Sequence, residues 1–370
     1  MFARDEWPYS EEFTTKNLYG LFENHLFTMI NWKYIIGVHP FYMMLEKDGK
    51  AHGIFILNSN AQEIITAPGP TLIYRTIGGN LDIYFFPGPT PEEVTQQYLA
   101  LIGKPTLPAY WSFGFQVSVA LFFIFNRRLH VAWQISRWGY ENFAELKEVV
   151  KRNTEAGVPF DTVVGDIDYM DRYKDFTIGK GDWQEFPAYA DQLHERGMRL
   201  VLMFDPAVQA NYEPFARAMT AVSSFPCTSS QTYLNGTFQR ARFVEWERPD
   251  QVMESVNSLY PLVEGTKIML GVVWPDNHTA FPDFLDPSGN TEKWWIDELI
   301  RFRQKIAYDG IWIDMNEPAN FGTNEDHPWY FDDPDHPNIE PLKCPTKEGT
   351  QEARWDMPPY KTHNVWVFGK

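Results

Sequence analysis

The chain has 370 residues, a formal net charge of −17 and a composition that is 44% hydrophobic and 16% aromatic. This length is sufficient for one large domain and a smaller one, and the hydrophobic fraction can fill a large core. The negative charge argues against nucleic acid or an anionic membrane as a partner, whereas the aromatic excess suits the stacking of neutral sugars.

Features that would assign a cell compartment are weak. The start, Met1 to Glu6, carries charges where a signal peptide has its apolar core, and no apolar run approaches the ~20 residues that cross a bilayer. Two cysteines, Cys227 and Cys344, leave the redox compartment open. Glycosylation triplets beginning at Asn235 and Asn277 are compatible with a secretory protein, although such triplets often arise by chance.

Residues 37–86 contain short β-forming runs separated by turn residues, which predicts the end of a β-sandwich. Thr90 then begins a helix as its N-cap, and Glu93 completes a capping box. We therefore place a domain boundary between 1–89 and 90–370. The predicted strands of the first domain are 53–57, 71–75 and 81–86.

From residue 111 the pattern alternates between strands and helices, which predicts a parallel sheet. Three of the predicted strands are followed directly by an aspartate: Asp166, Asp205 and Asp314. The carboxyl ends of parallel strands share one rim, so these residues predict a polar site there, although each could be a mere turn former. Strands are predicted at 111–116, 160–165, 198–204 and 311–313, and helices from Asn142 to Gly157, at 189–196 and at 293–308.

The run 310–321, G-I-W-I-D-M-N-E-P-A-N-F, predicts a buried strand that carries Asp314 and Glu317 into the following loop. An ionised aspartate beside Trp312 is suited to attack or stabilise an electron-poor sugar carbon, while the indole bounds the pocket. A lone aspartate at this position could equally cap a turn.

The heptapeptide W-I-D-M-N-E-P at 312–318 resembles the nucleophile signature of glycoside hydrolase family 31, the retaining α-glucosidases. The resemblance implies an α/β fold: the first half of a (β/α)₈ TIM barrel, preceded by the end of an N-terminal β-sandwich domain. It also implies cleavage of terminal α-linked glucose from maltose-like oligosaccharides, without a metal or organic cofactor, in the secretory pathway. Further blocks that match the family precede this heptapeptide, in the family's order, at 58–61, 111–116, 137–140, 166–170, 274–275 and 279–284.

The resemblance also implies roles for individual residues. Asp314 would be the nucleophile, with Glu317 in support, and Asp166 would bind two hydroxyls of the terminal glucose. Asp168 would be structural, although either of the last two could only cap the following turn. Glu63 stands where many relatives have Asp, which puts its sugar contact in doubt. The remaining implied pocket positions, each of which could be core if taken alone, are Trp138, Ile167, Met203, Trp274, Trp312 and Met315.

A retaining glycosidase needs a second carboxyl group roughly 5–5.5 Å from the nucleophile. The family places it well downstream of the nucleophile signature, and we expect it beyond Lys370, so that this chain is an incomplete catalytic domain. Three segments, near 21–36, 117–134 and 221–240, interrupt family blocks. We interpret them as translated introns, and genuine loop insertion is the alternative.

Two other functions remain open at this point. Within the family, the substrate could be an α-xyloside or the glucose of a glycoprotein glycan. In a different class, the chain could be a non-catalytic carbohydrate-binding protein or an inactive fragment.

Overall fold

The computed structural model describes most of the chain, in two compact units that divide between Leu107 and Pro108. The described residues from Cys344 onward group with the first unit. The predicted domain bounds, 1–89 and 90–370, stay a prediction. The described residues are 14–18, 40–58, 62–67, 71–76, 78–113, 117–118, 135–158, 161–220, 240–316, 318–331, 339–344, 349–351 and 353.

Some of the predicted features fall outside these residues. For Glu63 the backbone is described, but not the side chain. Outside the described part lie Glu317, Cys227, Asn235, segment 21–36, all but the first two residues of 117–134, and all but the last of 221–240.

The first unit contains two three-stranded antiparallel sheets and one helix. The sandwich into which these sheets would fit remains a prediction. The elements are β1 (Thr14–Leu18), β2 (Phe41–Leu45), β3 (Ala51–Ile56), β4 (Gln62–Ala67), β5 (Thr71–Thr76), β6 (Ile83–Phe86) and α1 (Pro91–Ile102), and the sheet orders are β1-β4-β5 and β2-β3-β6.

Helix α1 packs on the β2-β3-β6 sheet. The predicted capping box is confirmed, because Thr90 Oγ1 accepts the Glu93 N–H at 3.2 Å and Glu93 Oε2 accepts the Thr90 N–H at 3.0 Å. Tyr98 of the helix stacks on Phe41 of β2 with ring centroids 4.1 Å apart. A Cβ at Gly53 would lie 2.6 Å from Val94 Cγ1, so this close approach of helix and sheet requires glycine.

The second unit is built on a five-stranded parallel sheet with helices between its strands. A short antiparallel sheet of order β11-β13-β12 lies in the same unit. The elements are β7 (Val117–Ser118), β8 (Ile135–Ser136), α2 (Phe143–Glu155), β9 (Thr162–Gly165), α3 (Phe186–Glu195), β10 (Arg199–Phe204), β11 (Val208–Gln209), α4 (Glu213–Met219), α5 (Glu254–Asn257), β12 (Leu270–Gly271), β13 (Thr279–Ala280), α6 (Asn290–Arg303) and β14 (Gly310–Ile313).

The sheet is parallel, as the strand–helix alternation predicts, and its strand order is β14-β10-β9-β8-β7. Asn142 caps α2 through its side chain, which accepts the Glu145 N–H at 2.9 Å. Helices α2, α3 and α6 bury apolar side chains against the sheet in one core cluster, with Phe143, Phe186 and Phe302 almost inaccessible to solvent. This burial supplies the main stabilisation of the sheet.

Two local predictions are wrong. Residues 110–113 form a 3₁₀ turn instead of the start of a strand, and Gly114 to Gln116 lie outside the described residues. The strand 311–313 is not buried, because Ile311 is 45% and Ile313 is 65% exposed. Strand β14 lies at the edge of the sheet, and the alternation of side chains puts both isoleucines on one face and Trp312 on the other.

Within the described residues, no helix combines the length and apolar character that a membrane span requires.

Candidate active site

The three aspartates that follow strands lie at the carboxyl ends of neighbouring strands of the parallel sheet. Strands β9, β10 and β14 are neighbours, and they are followed by Asp166, Asp205 and Asp314. In the register, Met203 of β10 pairs with Trp312 of β14. The predicted juxtaposition therefore follows directly from strand order and register.

Asp166 is buried and interacts electrostatically with Asp314. One of its carboxylate oxygens, Oδ1, accepts the Ile167 N–H at 2.7 Å, so Asp166 does cap the turn that follows it. Burial, opposed by this hydrogen bond and reinforced by the negative charge of Asp314, raises the pKa of Asp166 to about 6. A carboxylate oxygen accepts more than one hydrogen bond, so capping and ligand binding are compatible.

Asp168 connects this turn to the 137–140 block. Its two carboxylate oxygens accept the Gly139 N–H at 2.9 and 3.1 Å. Burial and the charge of Asp166 raise the pKa of Asp168 to about 7. The contact positions Trp138 beside the sheet edge, in keeping with a structural role for Asp168. Arg137 forms an ion pair with Glu145 at 3.2 Å.

Trp274 is the centre of an aromatic wall. Its indole Nε1–H donates to Met315 Sδ at 2.9 Å, and its ring lies 5.3 Å from that of Trp138 and 5.0 Å from that of Phe321. Met315 is buried and has a left-handed backbone with φ of 53°. Such a conformation persists in a non-glycine residue where its surroundings hold it, and here the indole does so directly after Asp314.

Three further predicted positions lie in or against the core cluster of the second unit. Ile167 and Met203 are almost fully buried, and the Met203 carbonyl accepts the Tyr169 hydroxyl at 2.8 Å. Trp312 is half-buried and packs against the same cluster. The structure thus places these side chains in or against the core, and their contact with a sugar stays a prediction.

The structure shows neighbours of the site that sequence reasoning missed. Tyr173 and Trp329 both contact the Trp274 ring, at 6.3 and 6.2 Å between centroids. Asp175 is buried, and its Oδ1 accepts the Asp205 N–H at 3.0 Å. Tyr173 and Trp329 lie in short 3₁₀ helices and Asp175 lies in a turn. In such short segments an aromatic or acidic residue has no periodic pattern that would distinguish it from a surface residue.

Among the described side chains, no group of three or more His, Cys, Asp or Glu has an arrangement that could hold a metal ion. Glu63 lies in the first unit, and Glu317 lies outside the described residues.

Comparison with solved structures supports the barrel fold. A family 31 α-glucosidase from Bacteroides thetaiotaomicron superimposes with a TM-score of 0.52 at 23% identity, over 77% of this chain and 39% of that one. The glucosidase II α subunit gives a TM-score of 0.52 at 22% identity, over 78% of this chain and 27% of that one. At this identity the likeness concerns the fold alone.

Sequence comparison identifies relatives of much greater length. The chain is 40% identical to intestinal sucrase-isomaltase of Oryctolagus cuniculus, over 79% of this chain and 13% of that protein. It is 38% identical to lysosomal alpha-glucosidase of Bos taurus, over 78% of this chain and 25% of that protein. The chain thus spans about a quarter or less of the length of these relatives.

The family model for the glycosyl hydrolases family 31 TIM-barrel domain matches residues 105–369, which is most of the chain. This match covers all the strand-end aspartates and the aromatic wall. The chain belongs to glycosyl hydrolase family 31.

Proposed function

We propose that this chain carries the nucleophile side of a retaining α-glucosidase active site, acting on maltose-like oligosaccharides. The observation that carries the proposal is the placement of Asp314 directly after β14, at the same end of the sheet as Asp166 and next to the Trp274–Met315 contact. Relatives named sucrase-isomaltase and lysosomal alpha-glucosidase support the substrate class.

In the proposed reaction, a carboxylate oxygen of Asp314 forms a bond to C1 of the terminal glucose while the bond from C1 to the leaving oxygen breaks. The leaving oxygen takes a proton from a second carboxyl group that acts as general acid. Water then attacks C1 and gives a proton to the second carboxyl group, which now acts as general base, while the glycosyl–Asp314 ester bond breaks and the Asp314 carboxylate is regenerated. The two inversions at C1 retain the α configuration.

Asp166 would hold the glucose in place for this attack. Above a pH of about 6 its carboxylate is ionised, and a charged acceptor binds sugar hydroxyls more strongly than a neutral one. Because Asp166 is also close enough to Asp314 to sense its charge, hydroxyls bound to Asp166 would bring C1 near the nucleophile. Glu317 would support the nucleophile loop.

The aromatic wall would bind the apolar faces of the sugar. Trp138 and Trp274 lie within van der Waals reach of each other, and the Met315 sulfur fixes the edge of the indole. Aromatic rings pack well against the C–H groups of a pyranose, and a few polar groups then set its orientation. Ile167, Met203 and Trp312 would line or support the same pocket.

Release of dinitrophenol from 2,4-dinitrophenyl α-glucoside tests the proposal, because this leaving group needs little protonation and its release reports the attack by Asp314. We expect a burst of about one dinitrophenol per chain, followed by slow turnover in which NMR shows α-glucose as the first-formed anomer. Asp314→Asn should lower the rate by about three orders of magnitude or more. Asp250→Asn, which changes an exposed carboxylate, should leave it unchanged.

Turnover that survives Asp314→Asn would contradict the assignment of the nucleophile. Maltose binding without any turnover would favour the non-catalytic carbohydrate-binding function. Comparison with α-xyloside and glycan-type α-1,3-glucoside substrates in the same assay separates the other family substrates.

We also propose that the whole protein enters the secretory pathway, since relatives are named as lysosomal and intestinal proteins. Two asparagines begin glycosylation triplets, and of these Asn277 is among the residues that the structure describes. Its side chain is half-buried. A mobility shift of the native protein on treatment with an N-glycosidase would support this location. No shift together with cytosolic fractionation would contradict it.

A further inference from the structure

The loop that follows Asp314, residues 314–321, is hydrogen-bonded at its far end to the segment after β12. Asn320 lies six positions after Asp314, and its side-chain Oδ1 accepts the Val272 N–H at 2.9 Å. The next residue, Phe321, donates its own N–H to the Val272 carbonyl oxygen at 2.8 Å. Both main-chain groups of Val272 are therefore bonded to the end of this loop.

Burial makes the Asn320 contact necessary. Val272 is fully buried, so its N–H has no access to water and needs an acceptor inside the protein, which Asn320 Oδ1 provides. The amide group of Asn320 is itself oriented, because its Nδ2 donates to Thr323 Oγ1 at 2.6 Å. The side chain therefore directs its oxygen toward Val272 and its nitrogen toward Thr323.

The Asn320 amide fits against this segment because residue 271 is glycine. A Cβ at Gly271 would overlap Asn320 Oδ1 and would lie 2.8 Å from Cζ of Phe281. A larger residue at this position would displace the amide or the ring. The close approach of the asparagine side chain to the backbone thus depends on the glycine.

The segment that bonds the end of the loop also bonds its start. Two residues after Val272, the Trp274 indole Nε1–H donates to Met315 Sδ at 2.9 Å. Between these two contacts the Ala319 N–H donates to the Met315 carbonyl oxygen at 3.1 Å, which closes one helical turn. The chain directly after Asp314 is therefore attached at both ends to one short segment.

We propose that Asn320 is a positioning residue for the nucleophile, which holds the end of the loop against Val272 so that the Asp314 carboxylate keeps its direction toward C1 of the sugar. This inference rests on the proposed function, since it concerns the same nucleophile. Asn320 takes no part in bond making or proton transfer. Because the rate of attack depends steeply on the placement of the attacking atom, loss of the Asn320–Val272 contact lowers this rate more than it lowers affinity for the sugar.

Two measurements on the same protein separate these effects. The rate of the dinitrophenol burst from 2,4-dinitrophenyl α-glucoside measures attack, and calorimetric titration with methyl α-glucoside measures binding before attack. We expect Asn320→Ala to slow the burst about ten- to a hundred-fold and to change methyl α-glucoside binding less than about three-fold.

Two milder variants test the role of the amide. Asn320→Asp keeps Oδ1 as an acceptor for the Val272 N–H, and the Thr323 hydroxyl can turn to donate to its second oxygen. This variant should keep the burst rate within about five-fold of the parent protein. Thr323→Val removes only the acceptor of Nδ2, and it should slow the burst about two- to five-fold.

Asn257→Ala is the matched control for a loss of stability. Asn257 is 1% exposed and lies in the same unit, and its side-chain amide donates to the Ile268 carbonyl oxygen at 3.2 Å. Its replacement also removes a hydrogen bond made by an asparagine, but at a place that does not contact the loop. We expect both alanine variants to have lower melting temperatures and only Asn320→Ala to have a slower burst.

Hydrogen exchange tests the contact without any need for activity. In Asn320→Ala we expect the Val272 and Phe321 amides to exchange at least about ten-fold faster than in the parent protein, while the amides of β9 and β10 keep their parent rates. Unchanged exchange at Val272 and Phe321 would overturn the inference, since the loop would then be held by other contacts.

The outcomes separate this inference from the proposed function. A burst in the parent protein that Asn320→Ala slows no more than Asn257→Ala does would overturn the positioning role and leave Asp314 as the nucleophile. Equal losses of burst rate and of affinity for methyl α-glucoside would overturn that role as well. Absence of a burst in the parent protein, with exchange at Val272 still dependent on Asn320, would overturn the proposed function and the positioning role together, while the contact itself stands.

Discussion

The indole Nε1–H of Trp274 donates to the sulfur of Met315 at 2.9 Å, across 41 positions of the chain. This contact joins the loop after β12 to the residue that follows Asp314. Because Met315 has a positive φ, the direction in which the Asp314 carboxylate leaves β14 depends on a contact from a different loop. The proposed nucleophile is thus positioned by tertiary contact as well as by its strand.

Replacing Trp274 with phenylalanine tests this dependence. The substitution keeps an aromatic ring but removes the donor to Met315, so we expect a loss of about 0.5–1 kcal/mol in the free energy of unfolding. The rate with the dinitrophenyl glucoside should fall more than ten-fold, because the backbone after Asp314 loses a restraint. Urea unfolding and steady-state kinetics measure the two effects. Trp111→Phe serves as control, and equal kinetic losses in both variants would count against the positioning role.

The buried carboxyl of Asp166 makes stability depend on pH in a defined direction. Its pKa is about 6 in the folded state against an ordinary value of 3.8, so between these values the folded state binds more protons than the unfolded one. The contribution of this group to stability therefore increases as the pH falls from about 6 toward 3.8. Above pH 6 its charge destabilises the fold.

It follows that Asp166→Asn should stabilise the protein at pH 8, by about 1–3 kcal/mol, because asparagine keeps an acceptor for the Ile167 N–H without the buried charge. The same variant should lose affinity for glucose. Chemical denaturation at pH 8 and pH 4 measures the difference, which should disappear at the lower pH. A variant that is less stable than the parent at pH 8 would refute this account of the raised pKa.

The contribution of His278 to stability is expected to change with pH in the opposite direction to that of Asp166. Its Nδ1 lies 2.9 Å from the Tyr260 hydroxyl and its Nε2 lies 2.8 Å from the Glu340 carbonyl oxygen. Burial lowers the pKa of His278 below its ordinary value of 6.5, so below pH 6.5 the unfolded state binds more protons. The stability contributed by this residue is therefore present above pH 6.5 and is lost as the pH falls below it.

Comparison of the parent protein with His278→Gln isolates that contribution. Between pH 8 and pH 5 the parent should lose more stability than the variant, because glutamine does not titrate in this range. Melting temperatures across the range provide the measurement. Parallel pH profiles for the two proteins would show that His278 has no such role.

The Arg217–Glu298 ion pair joins α4 to α6 and stabilises their packing. The guanidinium binds both carboxylate oxygens, at 2.6 and 2.7 Å, and the Glu298 side chain is only 2% exposed. Arg217→Met would leave a buried charge with Arg301 as its remaining cation, 3.8 Å away. We expect a loss of about 2 kcal/mol, below the usual figure for a buried pair because Arg217 is itself partly exposed.

The double variant Arg217→Met with Glu298→Leu should recover most of that stability, since no charge is then left without its partner. Lys147→Met, which breaks the exposed pair with Glu185, is the control and should change stability by less than about 0.5 kcal/mol. A double variant as unstable as the single one would show that the loss came from packing.

Local features were predictable from the sequence where the physical cause is local. Thr90 and Asn142 cap their helices through side chains three residues from their targets. The parallel sheet follows from the alternation of strands and helices. Because parallel strands point the same way, the aspartates that follow them lie at the same end of the sheet. Asp166 caps the following turn, which was one of the two roles that the sequence allowed, and its binding of sugar hydroxyls stays a prediction.

The features that could not be predicted depend on distant parts of the chain. The exposure of Ile311 and Ile313 depends on which strands lie beside β14, and that order is a property of the whole sheet. The contacts of Trp274 with Met315 and Tyr173 cross long stretches of sequence between irregular loops. The hydrophobic periodicity of the sequence does not predict such contacts, since it reports only on residues within one helix or strand.

Covalent trapping of the nucleophile tests the central claim most directly. The chain would be incubated with 5-fluoro-α-D-glucosyl fluoride, whose fluoride leaves without protonation, and the labelled protein would be analysed by intact mass and peptide mapping. The account predicts one fluoroglucosyl group per chain, attached to Asp314 and lost in Asp314→Asn but retained in Asp250→Asn. A label on any other carboxylate, or no label in a folded protein that binds maltose, would contradict the assignment of Asp314 as the nucleophile.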